Sequence, residues 1–214
     1  MKPLDLTLYL VLDPDLCGGA DGMIRTTLAA VEGGATVVQL RAPTWKKRAV
    51  AECARGLLTV LPRHVPLLIN DHADVAKAVG AAGVHVGQKD LSPEDCRLIL
   101  GPEAYIGLSV SNEDELVRRS PEADHLGVGP VFATSTKKDA APVLGLDRLA
   151  AIAAASPVPV VAIGGISAAN AADVYATPVG GIAVVSAICG QADPAAATRA
   201  LRRLADHSVR FGCR

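Results

Sequence analysis

Aromatic side chains are scarce in this chain of 214 residues: they make up 3% of a sequence that is half hydrophobic. The apolar core must therefore be built mainly from aliphatic residues. No apolar run approaches the roughly 18 residues that a membrane-spanning helix needs. The amino-terminal segment lacks the apolar stretch and cleavage site of a secretory signal. These absences predict a globular cytoplasmic protein with no membrane partner.

An excess of charge of either sign is also missing, since 21 basic and 22 acidic residues leave a formal net charge of −1. Nucleic-acid-binding chains usually carry a basic excess, so no nucleic-acid partner is expected. The five cysteines form no CxxC motif and no Cys/His cluster with zinc spacing. We interpret them as free thiols of a reducing compartment. His85, which lies between two valines of an apolar run, is interpreted as a structural residue.

Short apolar runs alternate along the whole chain with Ala- and Leu-rich segments that have helical spacing. The runs are nearly continuous, which is typical of parallel strands buried on both faces. There are eight of them, at residues 6–13, 36–42, 65–71, 83–88, 105–110, 125–132, 158–165 and 181–188. Each is therefore predicted to contain one strand.

Helix start patterns separate several of these runs. Ser92, followed by proline and then by acidic residues, and Asp193, followed by proline, are typical of helix N-termini. Thr44 is predicted to cap a helix over residues 45–61, and Ser111 is predicted to cap the helix that follows the fifth run.

The repeated strand–helix order predicts an α/β protein. Eight units in 214 residues leave about 27 residues for each, which suits a single (β/α)8 TIM barrel. An open doubly wound sheet is the alternative, but no GxGxxG motif follows the first run. We expect one domain over residues 1–214, with its core at about 7–205 and a short carboxyl-terminal tail over 206–214.

Two carboxylates follow adjacent predicted strands, at Asp71 and Asp90. The active site of a TIM barrel lies at the carboxyl ends of its strands, so both side chains can face one point. Carboxylates without histidine or cysteine partners suit a hard cation, and Mg²⁺ beside a phosphate is the usual case. Capping of a helix by Asp71 and solvation of a loop by Asp90 are equally consistent with the sequence.

Basic and hydroxyl side chains on the same rim suit phosphate groups. Arg41 closes the second run and can bind phosphate through two N–H groups. The loop after the sixth run offers three hydroxyls and two lysines, at residues 134–138. A solvated surface loop is the alternative for this stretch.

A second anion site is predicted after the seventh and eighth runs, where TIM barrels often bind phosphate. Gly164 and Gly165 would let backbone N–H groups approach an anion, and Ser186 closes the eighth run. The start of a following helix would add a favourable dipole. A simple tight turn is the alternative. Two anion sites and a metal suggest that a phosphorylated substrate displaces a Mg-pyrophosphate leaving group.

Taken in order, these motifs resemble the thiamine-phosphate synthase family over roughly residues 7–205. The matching segments are residues 9–11, 33–41, 69–71, 83–90, 107–109, 127–132, 134–139, 163–166 and 186–188. The resemblance implies a transferase that joins 4-amino-5-hydroxymethyl-2-methylpyrimidine pyrophosphate to 4-methyl-5-hydroxyethylthiazole phosphate. Its products are thiamine monophosphate and pyrophosphate, and the new bond is a C–N bond.

The resemblance also implies the role of each site residue. Asp71 and Asp90 would hold Mg²⁺, and Ser109 would lie beside the reacting pyrimidine. The pyrophosphate would be bound by Gln39, Arg41, Asn70 and Lys137, and the thiazole phosphate by Thr134, Thr136, Gly165, Val185 and Ser186. The candidate catalytic residues are Ser109, Arg41 and Lys137.

Pro43 departs from the family pattern, which usually has a lysine two residues after the arginine. We hypothesise that Lys46 or Lys47 partly replaces the missing cation. Two other functions stay open. A thiazole tautomerase-like isomerase would have a histidine at the position of Ser111, and would lack the Asn–Asp pair. A non-catalytic paralogue that binds a phosphorylated ligand is supported by Pro43 alone. Association into a homo-oligomer is also open.

Overall fold

Eight parallel strands pair in sequence order and close into a barrel. The computed structural model describes residues 4–134, 136 and 141–211, with 207–211 described as backbone only. The strands are β1 (Leu8–Leu12), β2 (Val37–Leu40), β3 (Leu67–Asn70), β4 (Gly83–Val86), β5 (Tyr105–Val110), β6 (His125–Val128), β7 (Val160–Ile163) and β8 (Gly181–Val184). Because β1 pairs with both β2 and β8, the sheet has no edge. The (β/α)8 TIM barrel is confirmed, and the open sheet is wrong.

Helices follow the strands on the outside of the barrel. Within the described ranges they are α1 (Pro14–Cys17), α2 (Gly19–Gly33), α3 (Lys47–Val60), α4 (Ala73–Val79), α5 (Pro93–Leu100), α6 (Glu113–Val117), α7 (Gly145–Ala155), α8 (Ala171–Tyr175) and α9 (Pro194–Phe211). None of these helices has the length and apolar character needed to cross a bilayer. Most predicted runs are longer than the strand they contain, because their last residues form the loops at the rim.

Two of the predicted helix caps are wrong. Thr44 lies inside a turn in which the Trp45 N–H donates to the carbonyl oxygen of Ala42 at 3.0 Å, so α3 starts three residues later. Ser111 also fails as a cap, because the side chain of the next residue, Asn112, accepts the backbone N–H of Glu115 in the first turn of α6.

The other two start patterns are confirmed. The Ser92 hydroxyl accepts the N–H of Asp95 at 3.1 Å, and the Asp193 carboxylate accepts that of Ala196 at 2.8 Å. Helix α9 then continues to Phe211. The predicted tail boundary at residue 206 therefore falls within this helix.

The apolar side chains form two clusters, on the two faces of the sheet. The larger cluster fills the layer between strands and helices and contains Leu8, Leu10 and Leu12 of β1. The smaller cluster lies on the other face of the sheet, inside the barrel, and consists of Leu6, Tyr9, Val11, Val37, Leu68, Val161 and Ala183. Alternate residues of one strand thus serve two cores, as strand geometry requires. On the same inner face β4, β5 and β6 carry mainly polar residues and glycine, and these lead to the rim.

Candidate active site

Two polar side chains of neighbouring strands are bonded together inside the barrel. Gln39 on β2 donates from Nε2 to the hydroxyl of Tyr9 on β1 at 2.8 Å, and both residues are buried. Burial raises the pKa of Tyr9 well above its usual range, so its hydroxyl stays protonated. Gln39, a predicted pyrophosphate ligand, therefore uses one of its two amide N–H donors on Tyr9.

Ser109, near the end of β5, is held through both its side chain and its backbone. Its hydroxyl lies 3.1 Å from Nε2 of His85 on β4, and its carbonyl oxygen accepts Nε2 of Gln88 at 2.7 Å. The sequence interpretation of His85 was structural, yet the ring contacts a candidate catalytic residue.

His125 on β6 is a residue that sequence reasoning missed. It is buried, and neither ring nitrogen has a hydrogen-bond partner among the described residues. Burial, with a smaller contribution from His85, lowers the pKa of His125 to about 3. The two rings lie 5.6 Å apart between centroids. The imidazole is thus neutral at physiological pH.

Glycine makes room for these two histidine rings. A Cβ at Gly107 would lie 2.3 Å from Nδ1 of His85 and 2.5 Å from Nε2 of His125. A Cβ at Gly127 would lie 2.9 Å from Cε1 of His85. Glycine inside a strand marks close approach of another group, so these two positions were the sequence feature that could have revealed the polar interior.

Asp71 has an unusual backbone conformation. Its φ is 61°, and no other non-glycine residue in the described part of the chain has a positive φ. The side-chain amide of Asn70 donates to the carboxylate of Asp71 at 2.6 Å. The backbone N–H of Asp71 donates to the carbonyl oxygen of His85 at 2.9 Å, and the backbone N–H of His72 donates to the carbonyl oxygen of Asn70. The residue before α4 is His72, so Asp71 does not cap this helix. Strain of this kind clusters at functional sites.

Asp90 closes the turn that follows β4. Its Oδ2 accepts the N–H of Gly87 at 2.8 Å, and its own N–H donates to the Gly87 carbonyl oxygen at 3.3 Å. The carboxylate is exposed, and its other oxygen forms no hydrogen bond among the described residues. The alternative of a purely solvated loop residue is therefore only partly right.

These two carboxylates suit Mg²⁺ better than a metal with a full set of protein ligands. The described residues contain no group of three or more His, Cys, Asp or Glu side chains that could hold a metal. Mg²⁺ is usually bound by one or two carboxylates, and water and substrate phosphate complete its shell. Asp71 and Asp90, on neighbouring loops, fit that donor set.

Arg41 and Pro43 follow β2 on the same side of the barrel. Arg41 is partly buried and forms no hydrogen bond or ion pair within the described residues, so its guanidinium is available to an anion. Pro43 lines a small cavity of about 60 Å³, together with Leu40, Ala42, Val50, Asn70, Asp71 and His72. Pro43 therefore contributes an apolar ring, and no cation, to a cavity that Asp71 also lines.

The two lysines that could replace that cation point in different directions. The Lys47 ammonium is 2.8 Å from the carboxylate of Asp74, in the first turn of α4, and this contact lowers the pKa of Asp74. Lys46 instead lines an outer groove formed by residues of α2 and α3, beside Trp45. Of the two, Lys47 is the one that contacts the helix that follows the Asn70–Asp71 turn.

The loop after β7 packs closely against the loop after β6. Gly164 and Gly165 have φ values of 102° and 65°. A Cβ at Gly165 would lie 2.5 Å from the Ala133 carbonyl oxygen, and the Phe132 N–H donates to the Gly164 carbonyl at 3.0 Å. The loop after β6 continues into Thr134, whose hydroxyl accepts a backbone N–H two residues later at 3.3 Å, that of Thr136.

Unused backbone donors lie in the loops after β7 and β8. Among the described residues the N–H groups of Gly165, Ser186 and Ala187 donate no hydrogen bond. The partly buried Val185 precedes them in the second loop, where its carbonyl oxygen accepts two N–H groups that close a turn. Helix α8 begins six residues after Gly165 and α9 eight residues after Ser186, and the contribution of a helix dipole stays a prediction. Lys137, with Ser135 and Lys138, lies outside the described residues.

The closed barrel, with two carboxylates and unused N–H donors in the loops at the carboxyl ends of its strands, is that of a (β/α)8-barrel enzyme of phosphorylated small molecules. The family model described as thiamine monophosphate synthase matches residues 8–188. The chain belongs to the thiamine monophosphate synthase family.

Relatives of known name match the chain over nearly its full length. The thiamine-phosphate synthase of Laribacter hongkongensis is 58% identical over 209 residues, which cover 97% of this chain and 99% of that protein. That of Xanthobacter autotrophicus is 50% identical over 203 residues, covering 94% and 96%. The structure of a thiamine phosphate pyrophosphorylase from Pyrococcus furiosus matches with a TM-score of 0.86 at 35% identity, covering 96% and 98%.

Proposed function

We propose that this chain is a thiamine-phosphate synthase that joins the pyrimidine pyrophosphate to the thiazole phosphate and releases pyrophosphate. The observation that carries the proposal is the strained turn at Asp71. Its carboxylate is oriented by Asn70, on the strand next to the one that leads to Asp90. A turn with this cost is expected where a carboxylate must be aimed at a ligand.

The pyrophosphate end of the site uses charged side chains. Asp71 and Asp90 would hold Mg²⁺, which when bound offsets the negative charge of the leaving group. Arg41 would bind the pyrophosphate oxygens with its unpaired N–H donors, together with Asn70 and Gln39. Lys137 is proposed as a further cation at the same group.

The pyrimidine would lie over the polar interior, beside Ser109. The amino group of the pyrimidine can delocalise the positive charge that develops at its methylene, so the bond to pyrophosphate can break before attack. The thiazole nitrogen carries no proton, and no general base is needed. The Tyr9 hydroxyl and the neutral His125 ring add no charge that would compete with the metal. Catalysis then rests on positioning and electrostatics.

The thiazole phosphate would be bound mainly by backbone groups. The N–H groups of Gly165 and Ser186 point to this role because they have no other partner among the described residues. Thr134 and Thr136 would add hydroxyl donors, and Val185 would contact the ring.

The tautomerase alternative is disfavoured by the environment of Ser111. Its N–H and its hydroxyl both donate to the carboxylate of Glu115, at 2.7 and 2.9 Å, so this residue serves the start of α6. The non-catalytic alternative still depends on Pro43 alone. A reducing cytoplasmic location stays a prediction, as does assembly into a homo-oligomer.

An assay with both substrates, with and without Mg²⁺, tests the proposal. We expect pyrophosphate release that requires both substrates and the metal. Isomerisation of a thiazole substrate without metal would support the tautomerase instead. Tight binding of the phosphorylated ligands without turnover would support the non-catalytic paralogue.

A further inference from the structure

Two thiols meet where the barrel closes between β1 and β8. Cys17 is the last residue of α1, and Cys189 lies in the turn after β8. Their side chains interact with each other, and both side chains also interact with the backbone of Asp13. The Cys189 thiol also donates to the carbonyl oxygen of Val11 on β1, at 3.6 Å. These contacts place two reduced cysteines side by side.

The backbone holds both thiols in place. The Cys17 N–H donates to the Asp13 carbonyl at 3.0 Å, and the Cys189 N–H donates to the Val185 carbonyl at 2.8 Å. The residues next to the pair also approach each other, because a Cβ at Gly190 would lie 3.4 Å from the Leu16 carbonyl oxygen. The segment that contains Cys17 and the segment that contains Cys189 therefore lie against each other beside the paired strands β1 and β8.

The two thiols differ in reactivity. Cys17 is partly exposed, and its interaction with the Cys189 side chain lowers its pKa to about 7. The same contact and burial raise the pKa of Cys189. Burial raises the pKa values of Cys53 and Cys96 to about 11. Thiolate character and access decide which cysteine reacts with an oxidant, so Cys17 is the reactive one of these four.

We propose that Cys17 and Cys189 form a redox modification site, at which a hydroperoxide converts the pair into an intramolecular disulfide. The Cys17 thiolate attacks an oxygen of hydrogen peroxide, the O–O bond breaks, and a sulfenic acid and hydroxide form. The hydroxide takes up the proton that the Cys17 thiol released on ionisation and becomes the first water. The Cys189 sulfur then attacks the sulfenic sulfur, the S–O bond breaks, and the leaving hydroxide takes the Cys189 proton as a second water. Two thiols are oxidised and one peroxide is reduced.

The cross-link would join the first loop of the barrel to the last. It closes a covalent loop over residues 17–189, which contains most of the chain. A disulfide that closes so long a loop strongly reduces the conformational entropy of the unfolded chain. The oxidised protein should therefore melt at a higher temperature than the reduced one. This proposal does not depend on the proposed function.

Peroxide treatment of the full-length reduced protein near neutral pH, followed by alkylation, digestion and mass spectrometry, tests the site. We expect loss of two of the five thiols and a cross-linked peptide pair that contains Cys17 and Cys189. Dithiothreitol should restore both thiols. The Tm of the oxidised form should rise by about 5–10 °C.

Three variants separate the roles of the cysteines. Cys17→Ser should abolish the cross-link and leave Cys189 as a free thiol that is alkylated. Cys189→Ala should leave Cys17 as a sulfenic acid that dimedone traps. The matched control Cys53→Ala should form the cross-link as the wild type does. Unchanged thiols after peroxide would overturn the proposal, and so would a cross-link from Cys17 to Cys53 or to a second copy of the chain.

Discussion

The two ends of the candidate site offer different chemical groups to a ligand. We call the loops that carry Arg41, Asn70, Asp71 and Asp90 the carboxylate edge, and those that carry Gly164, Gly165 and Ser186 the glycine edge. The carboxylate edge offers charged side chains, one of them on a strained turn. The glycine edge offers the backbone N–H groups of Gly165 and Ser186, and no side chain would fit at Gly165.

The difference matches the two phosphate groups of the proposed reaction. A pyrophosphate that departs must be bound more strongly as its charge grows, which mobile charges and a metal can do. A monophosphate that stays on its substrate needs only a fixed anchor, which backbone dipoles supply without a metal. One edge should thus govern the rate, and the other the affinity for one substrate.

Asp71→Asn should have the largest effect on this contrast. Loss of the carboxylate removes the proposed metal ligand, so kcat/KM should fall by about 10²–10³-fold, equivalent to about 3–4 kcal/mol. Steady-state pyrophosphate release as a function of Mg²⁺ concentration measures it. Asp173→Asn, at an exposed carboxylate on α8, is the control. An unchanged Mg²⁺ dependence in Asp71→Asn would break the comparison.

Gly165→Ala should damage the other edge through shape. The new Cβ would lie 2.5 Å from the Ala133 carbonyl oxygen, in a backbone with a φ of 65°. The free energy of unfolding should therefore fall by about 2–4 kcal/mol. The KM for the thiazole phosphate should rise more than that for the pyrimidine pyrophosphate. Urea unfolding and two-substrate kinetics measure these effects.

Gly80→Ala isolates the backbone part of that effect. Gly80 has a similar φ of 71°, but no atom lies within 4 Å of the added Cβ. Its cost should be only about 1 kcal/mol. Equal losses in the two variants would show that packing of the loops after β6 and β7 does not matter.

Acid should lower the stability of the whole barrel, because it acts on His125 in the interior that lies between the two edges. Folded His125 stays neutral down to a pKa of about 3, whereas in the unfolded chain it takes up a proton below about 6.5. Between these values the unfolded state binds more protons, so stability falls as the pH falls. The loss should be about 2 kcal/mol at pH 5.

His125→Leu removes this titration. Urea unfolding at pH 7 and pH 5 should show a smaller loss of stability in the variant than in the wild type. The same loss in both proteins would mean that His125 is not the group responsible.

Lys47→Ala should have the smallest effect, confined to the carboxylate edge. A partly exposed charge contact is worth about 1 kcal/mol, so kcat/KM for the pyrimidine pyrophosphate should fall about fivefold. Lys46→Ala, the neighbour that lines the outer groove, should leave it unchanged. Adding Pro43→Lys to Lys47→Ala should restore the rate. If neither single variant changes kcat/KM, no lysine replaces the missing cation.

Sequence patterns predicted the elements better than their connections. The run over residues 105–110 became β5 without change, because Ile106, Leu108 and Val110 pack in the cluster between strands and helices. The position of Asp71 was also predictable from the end of its strand. Its positive φ was not, because a carbonyl oxygen of the neighbouring strand helps to fix the turn. Such contacts are long-range and leave no local pattern.

The polar interior shows the same limit. His85 and His125 looked like two isolated histidines in apolar runs, and only the pairing of β4, β5 and β6 brings them together. Gly107 lies between them on β5, and its role in leaving room for the two rings can be recognised only once that pairing is known.

The turn at Asp71 has a consequence for anyone who engineers this protein for heat resistance. Glycine adopts its backbone conformation without the steric cost that a side chain brings, about 1 kcal/mol. A search for stabilising substitutions would therefore rank Asp71→Gly highly. The same substitution deletes the carboxylate proposed to hold the metal. If Asp71 holds the metal as proposed, the chain keeps a less stable backbone at this position in order to keep a metal ligand, and we expect the stabilised variant to be inactive.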